Sequence, residues 1–214
     1  MNLFNFDLRQ ILLTIPAILV GFSFHEYAHA QVAVWLGDNT PKYQNRLTLN
    51  PTAHLEPMGF ISLLLLGFGW AKPVQIDPNN FENPKRDDIL VSLAGPVMNF
   101  LMAIVFMIIM KLSTYLPDSI LMSSIYPTIW QVLSYTVFIN IVLMVFNLIP
   151  IPPLDGSHVL FGILNLKDTE FYYQLQSKGT LILLALIIFD VIEKIMTPPI
   201  LFIYNNLLRI FFGF

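Results

Sequence analysis

An apolar run near the start of the chain carries three polar side chains of the kinds that bind metals. Residues 11–36 read ILLTIPAILVGFSFHEYAHAQVAVWL, long enough to cross about 30 Å of hydrocarbon at about 1.5 Å per residue. His25, Glu26 and His29 lie in the last third of this run. Ionisable side chains inside a membrane helix are costly and indicate function. The run predicts a membrane-spanning helix with a site below one membrane surface, which we call the near side.

The spacing of the two histidines indicates a metal site. Residues four apart share a helix face, so His25 and His29 can bind one ion, and Glu26 can reach a water on that ion. Zinc binds neutral imidazoles and lowers the pKa of bound water to about 7. The pattern therefore predicts a zinc hydrolase. The alternative is a buried polar cluster that ties helices together.

The composition places the rest of the chain in a membrane as well. Of the 214 residues, 56% are hydrophobic and 12% are charged, and the mean hydropathy is +0.67, which is too apolar for an ordinary soluble domain. A net charge of −3 without a basic cluster argues against nucleic acid as a partner. Because there is no cysteine, thiolate zinc sites are excluded. We expect one integral membrane domain over residues 1–214.

Further apolar runs predict an all-α polytopic membrane protein, a bundle of about four to six transmembrane helices. Gly95 and Pro96 interrupt one run, where small residues allow close helix contact, and Asn99 needs a partner inside the bundle. The tail at 200–214 is short for a span and suits the membrane interface. The runs that predict full spans are 89–110, 128–149 and 179–196, which divides the domain into a core at 11–160 and C-terminal helices at 179–214.

Shorter elements are predicted between the first two spans. Residues 58–71 form an apolar run that is short for a crossing, which predicts a re-entrant or half-depth helix. Residues 46–50 alternate in polarity, and 72–76 form a similar stretch. These two stretches predict short membrane-associated β strands.

The parity of the spans places Asp155 on the same side as the histidines. If 58–71 does not cross, the span at 128–149 returns the chain to the near side, where three prolines end the helix just before Asp155. Gly156 permits tight backbone geometry beside it. A catalytic zinc site takes three protein ligands, and Asp155 is the best candidate for the third. A proline-rich surface turn is the alternative for this residue.

The basic residues orient the chain in the membrane. Seven of them lie on the predicted near side and four on the far side, so the positive-inside rule makes the near side cytoplasmic. We expect a multi-pass protein of the cell membrane whose site opens toward the cytoplasm. The near-side residues are Lys42, Arg46, Lys72, Lys85, Arg86, Lys167 and Lys178, and the far-side residues are Arg9, Lys111, Lys194 and Arg209.

Three polar side chains outside the histidine motif are further candidates. Asn147 lies eight residues before Asp155, and its amide could donate to a developing oxyanion or to a substrate. Asn140 lies seven residues earlier, where a hydrogen bond between helices is expected. His54 has three alternatives, which are a fourth metal ligand, a donor to the substrate or transition state, and a loop histidine without a role.

Five motifs follow one another along residues 15–160. They are HEYAH at 25–29, LNPTAH at 49–54, WAKPV at 70–74, AGPVMN at 94–99 and FNLIPIPPLDG at 146–156. Together they resemble the site-2 protease family of intramembrane zinc metalloproteases. The resemblance is to its short, stand-alone prokaryotic members, because no insertion of the size of a PDZ domain and no appended nucleotide-sensing domain is present.

This resemblance implies one Zn²⁺ per chain, held by His25, His29 and Asp155, with Glu26 as the catalytic acid and base. It also implies that Asn147 lies near the scissile carbonyl and His54 close to the active site. The expected activity is hydrolysis of a peptide bond in or near a transmembrane segment of another membrane protein. The expected partners are that segment and the lipid bilayer, with homo-oligomer formation left open.

Two other functions would also use a zinc-binding membrane fold. A zinc transporter or sensor would repeat acidic or histidine residues along several spans, whereas here they gather at one depth near one face. A catalytically silent interaction protein would have no need of the complete set of ligands and base. The sequence therefore favours the protease.

Overall fold

Helices dominate the computed structural model of the chain, which describes residues 8–66 and 69–213. Within these ranges there is no β strand, and one isolated antiparallel bridge joins Leu55 to Ala71. The prediction of an all-α fold is confirmed. A short 3₁₀ helix occupies Pro78–Asn80, and the α-helices are α1 (Leu8–Trp35), α2 (Thr40–Tyr43), α3 (Pro51–His54), α4 (Pro57–Leu66), α5 (Pro84–Ser113), α6 (Asp118–Leu121), α7 (Tyr126–Asn147), α8 (Asp155–Ile163), α9 (Glu170–Ile188) and α10 (Val191–Phe212).

Five helices of the described ranges are long and apolar enough to cross a membrane, namely α1, α5, α7, α9 and α10. The chain is therefore a multi-pass membrane protein, as its composition predicts. The spans predicted at 11–36, 89–110 and 128–149 fall on α1, α5 and α7. Gly95 and Pro96 do not interrupt α5, which runs through both residues.

The C-terminal region differs from the prediction of one span at 179–196 and an interfacial tail. The Thr169 side chain caps the start of α9, which therefore begins nine residues before the predicted span. Asp190, with a left-handed φ of 56°, makes the turn into α10. α10 then continues through Pro198 and Pro199. Prolines are tolerated inside membrane helices because neighbouring helices and side chains satisfy the backbone groups that proline leaves without a hydrogen bond. Two candidate spans stand where the sequence predicted one.

The centre of the bundle is made by α1, α5 and α7, which pack against one another. The apolar core lies where α5, α7 and α10 meet, with Met107, Val137 and Ile141 fully buried. α8 packs against α5. Gly156 in α8 is required by a close backbone approach, because a Cβ there would lie 2.7 Å from the Ile149 carbonyl oxygen. This contact seats the first turn of α8 against the end of α7.

The short apolar element predicted at 58–71 is represented by α4, whose ten residues span about 15 Å at the usual rise. This length is too short for a crossing, and α4 is not among the five candidate spans. Residues 67 and 68 of the predicted element lie outside the described residues.

The β strands predicted at 46–50 and 72–76 are wrong. Both stretches belong to the near-side rim, which we define as residues 36–56 and 69–83. The backbone amides of Lys72, Val74 and Asp77 donate to the His54 carbonyl at 2.8 Å, to Glu26 Oε2 at 2.9 Å and to Asp38 Oδ2 at 2.9 Å, respectively. Because these donors go to three separate acceptors, no ladder with a partner strand can form.

Candidate metal centre and its surroundings

Three side chains from two distant parts of the chain converge on one point. The Nε2 atoms of His25 and His29 lie 3.0 Å apart. Asp155 Oδ2 lies 3.2 Å from the first and 3.4 Å from the second. α1 supplies the histidines on one face, and the first residue of α8 supplies the carboxylate. The fold thus brings together the three side chains that the sequence predicted as ligands.

The spacing of these atoms fits zinc. Tetrahedral zinc with ligands at about 2.0 to 2.1 Å holds two ligand atoms about 3.3 Å apart, close to the three distances found here. Asp155 Oδ2 is buried and has no hydrogen-bond partner among the described residues. A buried oxygen without such a partner is expected where a metal ion binds it. In the described ranges this is the one group of three or more such side chains that could hold a metal, so the row of sites that a transporter would need is not found there.

Hydrogen bonds fix which nitrogen of each imidazole faces this point. His29 Nδ1 lies 2.7 Å from the Val91 carbonyl oxygen, and His25 Nδ1 lies 2.6 Å from Asn99 Oδ1. A carbonyl oxygen can only accept, so each Nδ1 carries the proton and each neutral ring presents its Nε2 lone pair. Two lone pairs and a carboxylate oxygen then face one another, an arrangement that a cation stabilises.

The orientation of Asn99 is itself fixed by two further helices. Its Nδ2 donates to the Gly21 carbonyl and to Asn140 Oδ1, each at 3.0 Å. Asn140 Nδ2 in turn donates to the Thr136 carbonyl at 2.8 Å. Because both ends of this chain of bonds are backbone carbonyls, Asn99 Oδ1 must be the atom that accepts from His25. The buried asparagines thus join α1, α5 and α7 behind the ligand.

A glycine leaves the space in which the imidazoles sit. A Cβ on Gly95 would lie 2.5 Å from Cε1 and 2.6 Å from Nε2 of His25, and closer still to Nε2 of His29. No side chain fits at these distances, so α5 can approach the face of α1 that carries the two histidines only through a glycine. The small residues at Gly95 and Pro96 were expected to allow close helix contact, and here that contact is with the two histidines.

Glu26 lies beside His25 and His29 on the buried side of α1. Its Oε2 accepts the backbone N–H of Val74 at 2.9 Å, so the rim crosses over this carboxylate. Asp38, which is fully buried, bonds to the same part of the rim a few residues after Val74, at Asp77 and Asn80. Its carboxylate accepts from the amides of Thr40 and Asp77, from the Thr40 hydroxyl and from Asn80 Nδ2.

Asp38 is a charged clamp for the rim. Burial by itself raises the pKa of its carboxyl, but the hydrogen bonds from Thr40, Asn80 and Asp77 outweigh burial and bring the pKa below its usual value. Asp38 is therefore ionised at neutral pH, and its bonds to the rim are charge-assisted.

His54 is fully buried at the end of α3, outside the group of His25, His29 and Asp155. Its Nε2 lies 2.7 Å from the Thr48 carbonyl oxygen, to which it donates, and its Nδ1 has no partner among the described residues. Burial lowers the pKa of His54, as does the charge of Arg46, while the Thr48 carbonyl and Glu26 act in the opposite direction. His54 thus stands beside the centre within the electrostatic reach of Glu26.

Asn147 ends α7 and is half-buried. Its Nδ2 donates to the Leu143 carbonyl one turn earlier, at 3.0 Å. Asn140, seven residues before it, makes the hydrogen bond between helices that the sequence predicted.

Sequence reasoning missed several residues around the centre. Lys167 donates to the Asp88 carboxylate, and its Nζ lies 3.3 Å from His158 Nδ1, one helical turn after Asp155. These contacts fasten α8, which carries Asp155, to the start of α5. The distance of three residues between Asp155 and His158 is a signal that could have found this group. Val91 had no signal of this kind, because it acts through its backbone carbonyl.

Comparisons with known proteins bear on the same region. The model of Peptidase family M50 matches residues 118–189, which contain α7, Asp155 and α9. The chain is 34% identical over 195 residues to the Bacillus subtilis protein named "Putative zinc metalloprotease YwhC", covering 91% of this chain and 88% of that protein. It is 27% identical over 188 residues to "Putative zinc metalloprotease Rip2" of Mycolicibacterium smegmatis, covering 86% and 69%. No solved structure gives a significant match.

Proposed function

The chain belongs to Peptidase family M50, the site-2 protease family of intramembrane zinc metalloproteases, and from this premise we propose that His25, His29 and Asp155 hold its zinc and that Glu26 is its general base. The observation that carries the proposal is the convergence of His25 Nε2, His29 Nε2 and Asp155 Oδ2 within 3.4 Å of one another.

The proposed roles follow from the chemistry of each group. Zinc, when bound, polarises the peptide carbonyl and makes water more acidic. Glu26 has one oxygen bonded to the Val74 amide, which leaves its other oxygen to take a proton from the attacking water. The same carboxyl group then passes that proton to the leaving amine. The Val74 bond orients Glu26 through both steps.

Asn147 and His54 take supporting roles in this proposal. The second N–H of the Asn147 amide has no partner among the described residues, so it is able to donate to the developing oxyanion. The Nε2–H of His54 is engaged by Thr48, while its own carbonyl accepts from the Lys72 amide. We therefore assign His54 to positioning the rim over Glu26.

The proposed substrate is a transmembrane segment of another membrane protein. The ligands on α1 lie inside a helix that is long enough to span the membrane, so the scissile bond has to reach them from within or beside the bilayer. A helical segment hides its carbonyls in its own hydrogen bonds, and it must unwind locally before attack.

The proposed orientation puts the site on the cytoplasmic side, with α4 as a re-entrant element that does not cross. The ends of α1 and α7 share the near side, whereas α10 runs antiparallel to α7 and ends on the far side, where the Phe212 ring packs against Trp130 and Lys111. Arg209, in the last turn of α10, therefore stays on the far side and Lys194, in its first turn, lies on the near side, while Lys178 falls inside α9. By the positive-inside rule this distribution makes the near side cytoplasmic. The near-side residues are then Lys42, Arg46, Lys72, Lys85, Arg86, Lys167 and Lys194, and the far-side residues are Arg9, Lys111 and Arg209.

The proposal is tested by Glu26→Gln. The variant keeps the hydrogen bond to Val74 and the three ligands, so bound zinc should stay at one per chain. Cleavage of a model transmembrane substrate should fall by about 100-fold or more, because the proton acceptor is gone. Glu193→Gln, an exposed change at the start of α10, is the matched control and should cleave normally. Undiminished cleavage by Glu26→Gln would contradict the proposed role of Glu26 as general base.

A further inference from the structure

A polar pocket of about 430 Å³ opens in the near-side rim. It is lined by Gln44, Arg46, Lys72, Pro73 and Gln75, so its walls carry two positive charges, two amides and no carboxylate. Gln44, Lys72 and Gln75 are exposed, whereas Arg46 is only 6% exposed. A pocket with this lining suits an anion.

The buried guanidinium of Arg46 has its charge unmatched by a direct ion pair. Two of its nitrogens donate to the carbonyls of Ala53 and Lys72, and Nε is buried without a partner among the described residues. Within residues 8–66 and 69–213, no carboxylate forms an ion pair with it. Burial lowers the pKa of Arg46, and the charge of Glu26 offsets this in part. A desolvated cation of this kind is stabilised by an anion that enters the pocket.

The pocket lies along the stretch that crosses Glu26. Lys72, Pro73 and Gln75 flank Val74, whose amide donates to Glu26 Oε2. Arg46 holds this stretch from the other side through the Lys72 carbonyl. A polypeptide whose scissile bond reaches Glu26 therefore passes the pocket with a residue near that bond.

We infer that this pocket is a substrate subsite for a carboxylate side chain, which binds an aspartate or glutamate on the near-side flank of the scissile bond. This inference rests on the proposed function and names a feature of its substrates. The walls come from the polar rim, and none comes from the five candidate spans, which favours a peptide carboxylate over a lipid phosphate. Arg46 supplies the fixed, buried charge, and Lys72 closes the pocket from the exposed side.

Binding can be measured without turnover in the Glu26→Gln background. Each labelled transmembrane peptide carries a single Glu, Gln or Lys at one position of the near-side flank, and the set of peptides covers these positions one by one. The peptides are titrated against the full chain in nanodiscs of neutral lipid. At one or two neighbouring positions, Glu should bind about fivefold more tightly than Gln, which is the size of a single partly exposed charge pair. Equal Kd values for Glu and Gln at every position would overturn the subsite.

A charge reversal then assigns the preference to the pocket. Lys72→Glu, added to the same background, should abolish the preference for Glu and make Lys the tighter ligand at that position. Lys42→Glu is the matched control, because it makes the same change on an exposed lysine of α2 outside the pocket, and it should leave the ratio of Glu to Gln unchanged. An equal effect of both variants would mean general electrostatics, which contradicts a specific subsite.

Two further outcomes separate the inference from its rivals. If the affinity follows the fraction of anionic lipid in the nanodisc and ignores the charge of the peptide, the pocket binds a lipid phosphate and the inference fails. If the preference for Glu holds but the unmodified chain cleaves none of these peptides, the subsite stands and the proposed function fails.

Discussion

Two regions of the chain meet at the metal centre, and they hold their functional groups by different means. In the helical core, Asn99 and the Val91 carbonyl of α5 accept from His25 and His29 on α1, and Asn140 of α7 accepts from Asn99. In the near-side rim, charged side chains bond to backbone, as Asp38 and Arg46 do. The first arrangement orients imidazoles, and the second shapes an irregular stretch over Glu26.

This difference separates metal binding from turnover. The core groups act on the positions of His25 and His29, so damage there should appear first as lost zinc. The rim groups act on Glu26 and on the proposed path of the substrate, so damage there should leave zinc in place and slow cleavage. Zinc content and cleavage rate, measured on the same sample, therefore distinguish the two regions.

The largest effect is expected from Gly95→Ala. The new methyl group would overlap both imidazoles, so zinc should fall from one per chain to near zero and cleavage should be lost. Alanine favours a helix by about 1 kcal/mol over glycine, so a loss would not reflect a weaker α5. Metal analysis of the purified protein provides the measurement, with Val97→Ala, an exposed change on the same helix, as control. Full zinc occupancy in Gly95→Ala would contradict the packing described here.

A smaller effect is expected along the chain of asparagines. Asn99→Ala removes the acceptor of His25 Nδ1 and should weaken zinc binding about 10-fold to 100-fold, as is usual for groups that orient metal ligands. Asn140→Ala removes only the support of Asn99 and should weaken it less. Competition with a chelator gives both affinities. The reverse order of the two effects would mean that Asn140 acts on the site by another route.

In the rim, Asp38→Ala should leave zinc at one per chain and lower the cleavage rate on the order of tenfold, because the stretch over Glu26 loses its clamp. Asp118→Asn, an exposed change at the start of α6, serves as the control. Loss of zinc in Asp38→Ala would show that the two regions are not separable in the way proposed.

The same contrast explains how much the sequence could predict. Long apolar runs in the sequence predict membrane helices. His25, His29 and Asp155 could be found because helix spacing and the parity of the spans are simple geometric rules. The separate helices α9 and α10 were missed because the chain turns at Asp190. Pro198 and Pro199 lie inside α10, where the usual helix-ending signals do not end a membrane helix.

The rim was mispredicted for a different reason. The alternation at 46–50 suggested a strand, but the backbone groups of residues 72–77 are bonded to Glu26 on α1 and to Asp38, Arg46 and His54 in the other part of the rim. Such bonds depend on the tertiary arrangement and leave no periodic pattern in the sequence. Arg46 could therefore be recognised only as one of the near-side charges.

The smallest effect is expected from His54, and it is a pH effect on stability. Burial lowers the pKa of His54 below its unfolded value of about 6.5. Between the two pKa values the unfolded chain binds more protons, so stability rises with pH across that window and is lost as the pH falls below about 6.5.

His54→Gln keeps a donor for the Thr48 carbonyl but does not titrate. Thermal unfolding in detergent from pH 8 to pH 5 should therefore show wild type losing stability more steeply than His54→Gln, by a few degrees at the acid end. Acid release of zinc from His25 and His29 affects both proteins alike and cancels in the comparison. Parallel curves would mean that the rim does not hold His54 in its neutral form. The proposed contrast between this buried histidine and the two histidines of the core would then be wrong.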